Sequence, residues 1–237
     1  MLMSYGGSPG SFADPVFSDA MRLRIELHQS RVGELSRIVA LHMGLTRTHS
    51  SRLAAAAVLH DIGKVFVPAR HFQKRGSLNE NEWAVVRQHP VWGHAILAPC
   101  QHPVLRLAAV IALQHHESWD GSGYPYQLSG EQISLEARIV TICDVYDALR
   151  HDRPYHQAVG HEEAIRIIER GDDRTPPCMF DPVVHRAFLE CSSKLARAFA
   201  ERTPRSCPPL SGTTSDSGTP CGSRARSLPL AQSSGLA

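Results

Sequence analysis

An all-α fold is what this sequence predicts, on three observations. Apolar residues recur at three- and four-residue steps, helix-capping residues precede the apolar runs, and nothing alternates with period two over a useful length. Ile25, His28, Val32, Leu35, Val39 and Met43 form the stripe of a first amphipathic helix. Thr48 or Ser50 is the expected cap of a second helix running through the apolar segment 53–59. Asn79, with Glu82 three residues later, reads as a capping box opening a helix that stops before Pro90. Further helices are expected at 91–98, 103–116, 133–149, 161–170 and 182–200.

Composition bounds the rest. Of 237 residues, 42% are hydrophobic and 20% charged, which excludes a wholly disordered chain. Residues 1–18, rich in Gly and Pro, read as a flexible leader, 19–200 as the folded domain, and 201–237 as a disordered tail. In 203–237 Ser, Thr, Pro and Gly fill 21 of 35 positions and no aromatic residue occurs, too little apolar surface to offset chain entropy. The formal net charge of +2 is too weak to attract a DNA or RNA polymer in bulk. The longest apolar runs, 53–59 and 107–113, fall far short of the ~20 residues a membrane span needs. Six cysteines without a Cys-x-x-Cys, and no basic region before an apolar N-terminal run, fit a reducing cytoplasm and no signal peptide.

Fourteen histidines is a high count for this length, and several fall where a core residue belongs. His28 takes an apolar position of the first helix. His60-Asp61 emerges from an Ala-rich helix. His89 precedes Pro90, His115-His116 follow a strongly apolar helix, and Asp144 interrupts an Ile/Val/Cys segment. Any one of these reads as a hydrogen-bonded core residue. Six or seven such residues spread over separate helices need shared partners, because isolated buried charges are costly, and a cation satisfies imidazoles and carboxylates together. Nitrogen and oxygen donors without thiolate suit Fe, Mn or Zn. Five His and two Asp exceed one coordination shell, so two metals bridged by a carboxylate is the economical reading, and paired metals suit phosphoester hydrolysis. Lys64, a helical turn beyond His60, is within reach of the same place as a phosphate-binding charge.

His60-Asp61-Ile62-Gly63-Lys64 together with Asp120-Gly121-Ser122-Gly123-Tyr124-Pro125 resembles the HD-GYP family, a branch of the HD-domain metal phosphohydrolases. The likeness runs from about His28 to Leu189. It includes His28-x-x-Arg31-Val32, His89-Pro90, His115-His116-Glu117, Asp144-Val145-Tyr146-Asp147-Ala148, Asp152-Arg153-Pro154-Tyr155 and Phe180-Asp181-Pro182. The resemblance implies a single helical bundle with a central metal site and a role in bacterial second-messenger signalling. His28, His60, Asp61, His89, His115, His116 and Asp144 would ligate two divalent ions, usually iron or manganese, with Asp61 bridging them. Asp61 and Lys64 would be catalytic, Lys64 holding the scissile phosphate. Gly123, Tyr124 and Pro125 would form a loop at the mouth of the site, meeting substrate or protein partners, and Arg153 and His156 would contact substrate.

The implied reaction opens cyclic di-GMP to the linear dinucleotide, with a metal-bridging hydroxide as nucleophile, and in some members continues to GMP or takes hybrid cyclic dinucleotides. An HD-domain hydrolase of another nucleotide and a non-catalytic module signalling through the Gly-Tyr-Pro loop are the alternatives. Two departures from the pattern stand out. Arg24 replaces the Glu that accompanies a third metal, which points to a binuclear site. His156 replaces a Lys or Arg, so substrate affinity is expected to fall as its imidazole (pKa near ~6.5) loses its proton.

Overall fold

The computed structural model describes residues 19–74, 76–152 and 157–202. Among them there are ten α-helices and no strand. Helix α1 (Asp19–His42) buries Val32, Leu35 and Val39 of the predicted stripe and packs on α2 (Arg47–Ala57). Thr46 caps α2 by accepting from the His49 N–H, in place of the expected Thr48 or Ser50. Thr48 stands inside the first turn, and Ser50 is fully buried within the helix, where neither can take the extended backbone of a cap.

After α2 the chain turns through His60-Asp61 into a 3-10 segment, Ile62–Phe66, and a short helix α3 (Ala69–Gln73). Helix α4 (Glu80–Val86) opens on the predicted Asn79–Glu82 capping box. Pro90 does not follow an irregular stretch: it sits in the first turn of α5 (His89–Leu97), where its missing N–H costs nothing. Helices α6 (Pro103–Gln114) and α7 (Leu135–Leu149) follow, then α8 (His161–Arg170). The helix expected at 182–200 is two helices, α9 (Pro182–Glu190) and α10 (Ser192–Glu201), because Cys191 leaves helical geometry at φ −100°, ψ 11°. The second piece runs to Glu201, and Arg202 donates to Ser30 Oγ on α1 at 2.7 Å, so order extends just past the predicted boundary at 200. The leader 1–18 and residues 203–237 of the tail lie outside the described residues.

Helix α7 is the axis of the bundle. From Ala137 to Leu149 all but two of its residues are buried, which explains its run of Ile, Val and Ala on every face. It contacts α1, α6, α8 and α9, and Asp144 and Asp147 are its two carboxylates near the middle of the fold. The segment 171–179 is ordered by Asp172, whose carboxylate accepts the N–H groups of Arg174 and Thr175, and by Trp119 N–H donating to the Met179 carbonyl at 2.9 Å.

Candidate metal centre

Four helices and one turn aim their polar residues at one point. His28 comes from α1, His60 and Asp61 from the turn after α2, His89 from the first residue of α5, His115 and His116 from the end of α6, and Asp144 from α7. Gly63 is what lets the turn reach α5. A Cβ at Gly63 would lie 2.0 Å from the His89 carbonyl oxygen and 2.5 Å from the Gly93 nitrogen, so only glycine permits this contact. All seven sequence-predicted ligand positions therefore converge.

Asp61 stands between two groups. Its Oδ2 lies 3.3 Å from His60 Nε2 and 3.8 Å from His28 Nε2, and Asp144 Oδ1 is 3.4 Å from that same His28 nitrogen. Its Oδ1 lies 3.3 Å from His89 Nε2 and 3.6 Å from His115 Nε2. Ligand atoms of Asp61, His89, His115 and His116 fall within 4.8 Å of one another, and so do those of His28, His60 and Asp61.

Tautomers follow from the other ring nitrogen. His60 Nδ1 is 2.7 Å from the Ala57 carbonyl, His89 Nδ1 2.7 Å from the Val86 carbonyl, and His115 Nδ1 about 3.0 Å from the Ala112 carbonyl. A carbonyl oxygen only accepts, so each Nδ1 carries the proton and, in the neutral ring, each Nε2 presents a lone pair. His89 Nε2 and His115 Nε2 then face each other at 3.4 Å, lone pair to lone pair. His60 Nε2, Asp61 Oδ1 and His116 Nε2 are buried with no hydrogen-bond partner. Buried acceptors converging without donors are unstable unless a cation sits among them, so the donor set fits metal ions.

The electrostatics of the cluster shows the same demand for positive charge among these acceptors. Burial alone depresses the His60 pKa, but the adjacent Asp61 carboxylate outweighs it, with help from Asp144, and lifts it to about 9. Burial works against ionisation of Asp61 too, and the Lys64 ammonium and His60 overcome it, holding that carboxyl well below its usual range. Burial lowers His115 to about 4 and takes His116 well below the ordinary imidazole value, each reinforced by neighbouring histidines. These last two rings are kept as neutral donors, the form that ligates a metal.

Around the cluster the structure places residues that sequence reasoning did not single out. Asp147 Oδ2 accepts from His28 Nδ1 at 2.7 Å, while Arg31 holds the same carboxylate with Nε at 2.5 Å and Nη2 at 3.2 Å. The available signal was its spacing: Asp147 lies one turn from Asp144 on a buried helix, and Arg31 one turn from His28. Glu117 accepts the N–H groups of Tyr126 at 2.7 Å and Leu128 at 3.0 Å, gripping the loop beyond the Gly-Tyr-Pro segment.

The predicted substrate-contacting residues behave differently from one another. Gly123 is packed on the backbone of 116–118, where a Cβ would sit 2.3 Å from the Ser118 nitrogen. Tyr124 donates its N–H to the His116 carbonyl at 3.0 Å and stacks its ring on the His116 ring, centroids 4.8 Å apart, with the Arg87 guanidinium over it. The Tyr124–Pro125 peptide is cis. Lys64 lies on the 3-10 segment with Nζ 2.7 Å from Asp61 Oδ2, so it pairs with that carboxylate while remaining partly exposed. Arg153 and His156 lie outside the described residues. Arg24 donates to the Asp152 carbonyl at 2.7 Å.

A His/Asp cluster suited to metal ions thus lies at the centre of this helical bundle. The model of the HD domain matches residues 15–176, and the chain belongs to that family. Its Gly123-Tyr124-Pro125 segment and flanking motifs are those of the HD-GYP type. A cyclic di-GMP phosphodiesterase of Thermotoga maritima is 36% identical over 184 residues, covering 78% of this chain and 49% of that protein. A cyclic di-GMP phosphodiesterase response regulator of Xanthomonas campestris is 40% identical over 162 residues, covering 68% of this chain and 43% of that protein. The chain thus spans about half the length of these curated relatives. Among solved structures, the HD-GYP-type protein Bd1817 of Bdellovibrio bacteriovorus superposes with a TM-score of 0.56 at 22% identity, over 71% of this chain and 52% of that one, a likeness of fold. No described helix is long and apolar enough to cross a membrane.

Proposed function

We propose that the chain is a metal-dependent phosphodiesterase that hydrolyses cyclic di-GMP to the linear dinucleotide, with two divalent ions held by His28, His60, Asp144 and Asp61 on one side and by His89, His115, His116 and Asp61 on the other. The observation that carries this reading is the division of the Asp61 carboxylate, one oxygen toward each group of imidazole nitrogens. The relatives' printed activities supply the substrate class. A nitrogen- and oxygen-only donor set suits Fe, Mn or Zn, and the family resemblance selects iron or manganese among them. Bound there, the ions would supply an activated water and neutralise charge on the phosphoryl oxygens.

The chain's own residues do the rest. Asp61, Asp144 and the imidazoles hold a preformed, largely dry anchor, so little reorganisation accompanies binding. Lys64, partly exposed beside Asp61, would offer its ammonium to a phosphate oxygen at this site. Arg153 and His156 are assigned the substrate's outer contacts on the family pattern, and Gly123, Tyr124 and Pro125 the wall beside His116. Exposed Tyr126 is where a protein partner at this loop would first touch.

The test is product analysis of anaerobically purified protein loaded with Fe or Mn, offered cyclic di-GMP, hybrid cyclic dinucleotides, linear dinucleotides, mononucleotides and alarmones. Linear dinucleotide from cyclic di-GMP, lost on chelation, is expected. Turnover of a mononucleotide or alarmone alone would move the assignment to another HD-type hydrolase. Metal bound without turnover of any of these would favour a non-catalytic signalling module.

A further inference from the structure

The two groups of ligands are not equivalent, and the cause lies outside them. We infer that Asp147 is a positioning residue that makes the two metal positions unequal, so that the His28–His60–Asp144 position holds its ion more tightly than the His89–His115–His116 position. The inference rests on the binuclear reading above and goes beyond it in ranking the positions and naming what ranks them.

Three observations support it. His28 is a ligand histidine whose second nitrogen meets a carboxylate, Asp147 at 2.7 Å, whereas His60, His89 and His115 donate to neutral backbone carbonyls. A carboxylate partner draws the Nδ1 proton and makes Nε2 a stronger donor to a cation, while fixing ring orientation. Second, Asp147 is itself immobile: it is buried at 1% exposure and gripped through both oxygens by buried Arg31, so it holds His28 at one angle. Third, the ligand charges differ: beside their shares of Asp61, the first position has the Asp144 carboxylate, with the partly exposed Lys64 ammonium on Asp61 Oδ2, and the second has imidazoles alone. Arg31 offsets part of the Asp147 charge and lies over the Phe199 ring, and the hydrogen bond from His28 to the carboxylate stays charge-assisted.

The experiment is stepwise titration of the chelator-stripped full chain with Mn²⁺, read by calorimetry and by the electron paramagnetic signal that separates one isolated Mn²⁺ from a coupled pair. The unmodified chain should fill in two steps, an isolated ion first and a coupled pair second, with the first step at least about tenfold tighter. Asp147→Asn should weaken the first step by about 10–100-fold, as loss of an outer partner does, and leave the second unchanged, so the isolated-ion signal shrinks. His89→Ala should do the reverse, keeping the tight step and losing the weak one.

Asp147→Asn leaves Arg31 buried without its carboxylate and can fail to fold. The paired Asp147→Asn, Arg31→Met protein removes both charges together and must show the same weakened first step, with circular dichroism confirming its fold. Titration curves of either variant that superimpose on the unmodified chain overturn the inference, as does loss of the weak step alone. Two steps of equal affinity in the unmodified chain also overturn it while sparing the binuclear reading. A chain that takes up no Mn²⁺ sinks both.

Discussion

His28 and His116 stand at opposite flanks of the cluster and are held by opposite means. The His28 flank is held by charge: Asp147 and Arg31 fix the ring, His151 Nδ1 lies 3.5 Å from the same carboxylate, and Arg31 in turn covers the Phe199 ring of α10 at 5.4 Å. The His116 flank is held by packing. There the Tyr124 ring stacks on the imidazole, Gly123 lies on the backbone of 116–118, and Glu117 anchors the following turn through backbone N–H groups. Charge-held geometry responds to isosteric changes that remove ionisation. Packed geometry ignores those and responds to volume. The same ligand type in one site is thus vulnerable to different substitutions on its two sides.

The largest effect should come where the flanks meet. Asp61→Ala removes the oxygens facing both groups and would leave cations held there uncompensated. Turnover should fall by more than about 100-fold, beyond what loss of an outer partner costs, and metal analysis should find little of either ion. Two ions per chain and a near-normal rate in Asp61→Ala would break the shared-carboxylate description.

Next comes steric insult to the packed flank. Gly123→Ala forces a Cβ to within 2.3 Å of the Ser118 nitrogen, and because the obstacle is backbone it should cost about 3 kcal/mol or more. Gly160→Ala, where a Cβ meets nothing, is the reference and should stay within about 1 kcal/mol. Denaturant midpoints compare the two. Equal midpoints would show that the backbone of 116–118 yields freely.

Tyr124 separates ring from hydroxyl on that flank. Its hydroxyl is buried with no partner, so Tyr124→Phe should leave stability unchanged or raise it by up to about 1–3 kcal/mol, the cost of a stranded polar group. Tyr124→Leu loses the stacking on His116, about 0.5–1.5 kcal/mol beyond the area change, and should loosen the second ion rather than the first. A Phe variant as impaired as the Leu variant would mean that the hydroxyl, not the ring, serves the site.

The smallest effect is expected at Arg24, one helical turn before His28, where one partly exposed hydrogen bond to Asp152 is at stake. Arg24→Glu should shift stability by no more than about 0.5 kcal/mol. It replaces a cation by a carboxylate near the charge-held flank, so Mn²⁺ uptake there should tighten or gain a third ion. Uptake at the His116 flank should not change. Three ions in the unmodified chain would show that another residue supplies the carboxylate that Arg24 displaces.

Much of this was legible before any coordinate. Helix period, the Asn79–Glu82 box, the start of α6 and both ends of α8 depend on residues a few positions apart, and such short-range preferences are written locally. The seven His and Asp positions stood out because each put a polar group into an apolar context, which calls for a partner wherever the chain folds. What sequence left open was which partner. Asp147 sits 119 residues from His28, and their contact exists only because α1 packs on α7. The sharing of Asp61 between two groups depends on how the turn after α2 meets α5, through a glycine contact whose closeness no local pattern reveals. The break at Cys191, the cap at Thr46 and the burial of Tyr124 against His116 are likewise settled by packing: local preference tolerated several outcomes, and the neighbours decided among them. Sequence alone determined the all-helical class, most helical spans and the chemistry brought to the centre; only tertiary structure decided where helices break and how that chemistry is divided, because division is a matter of distances between residues far apart along the chain.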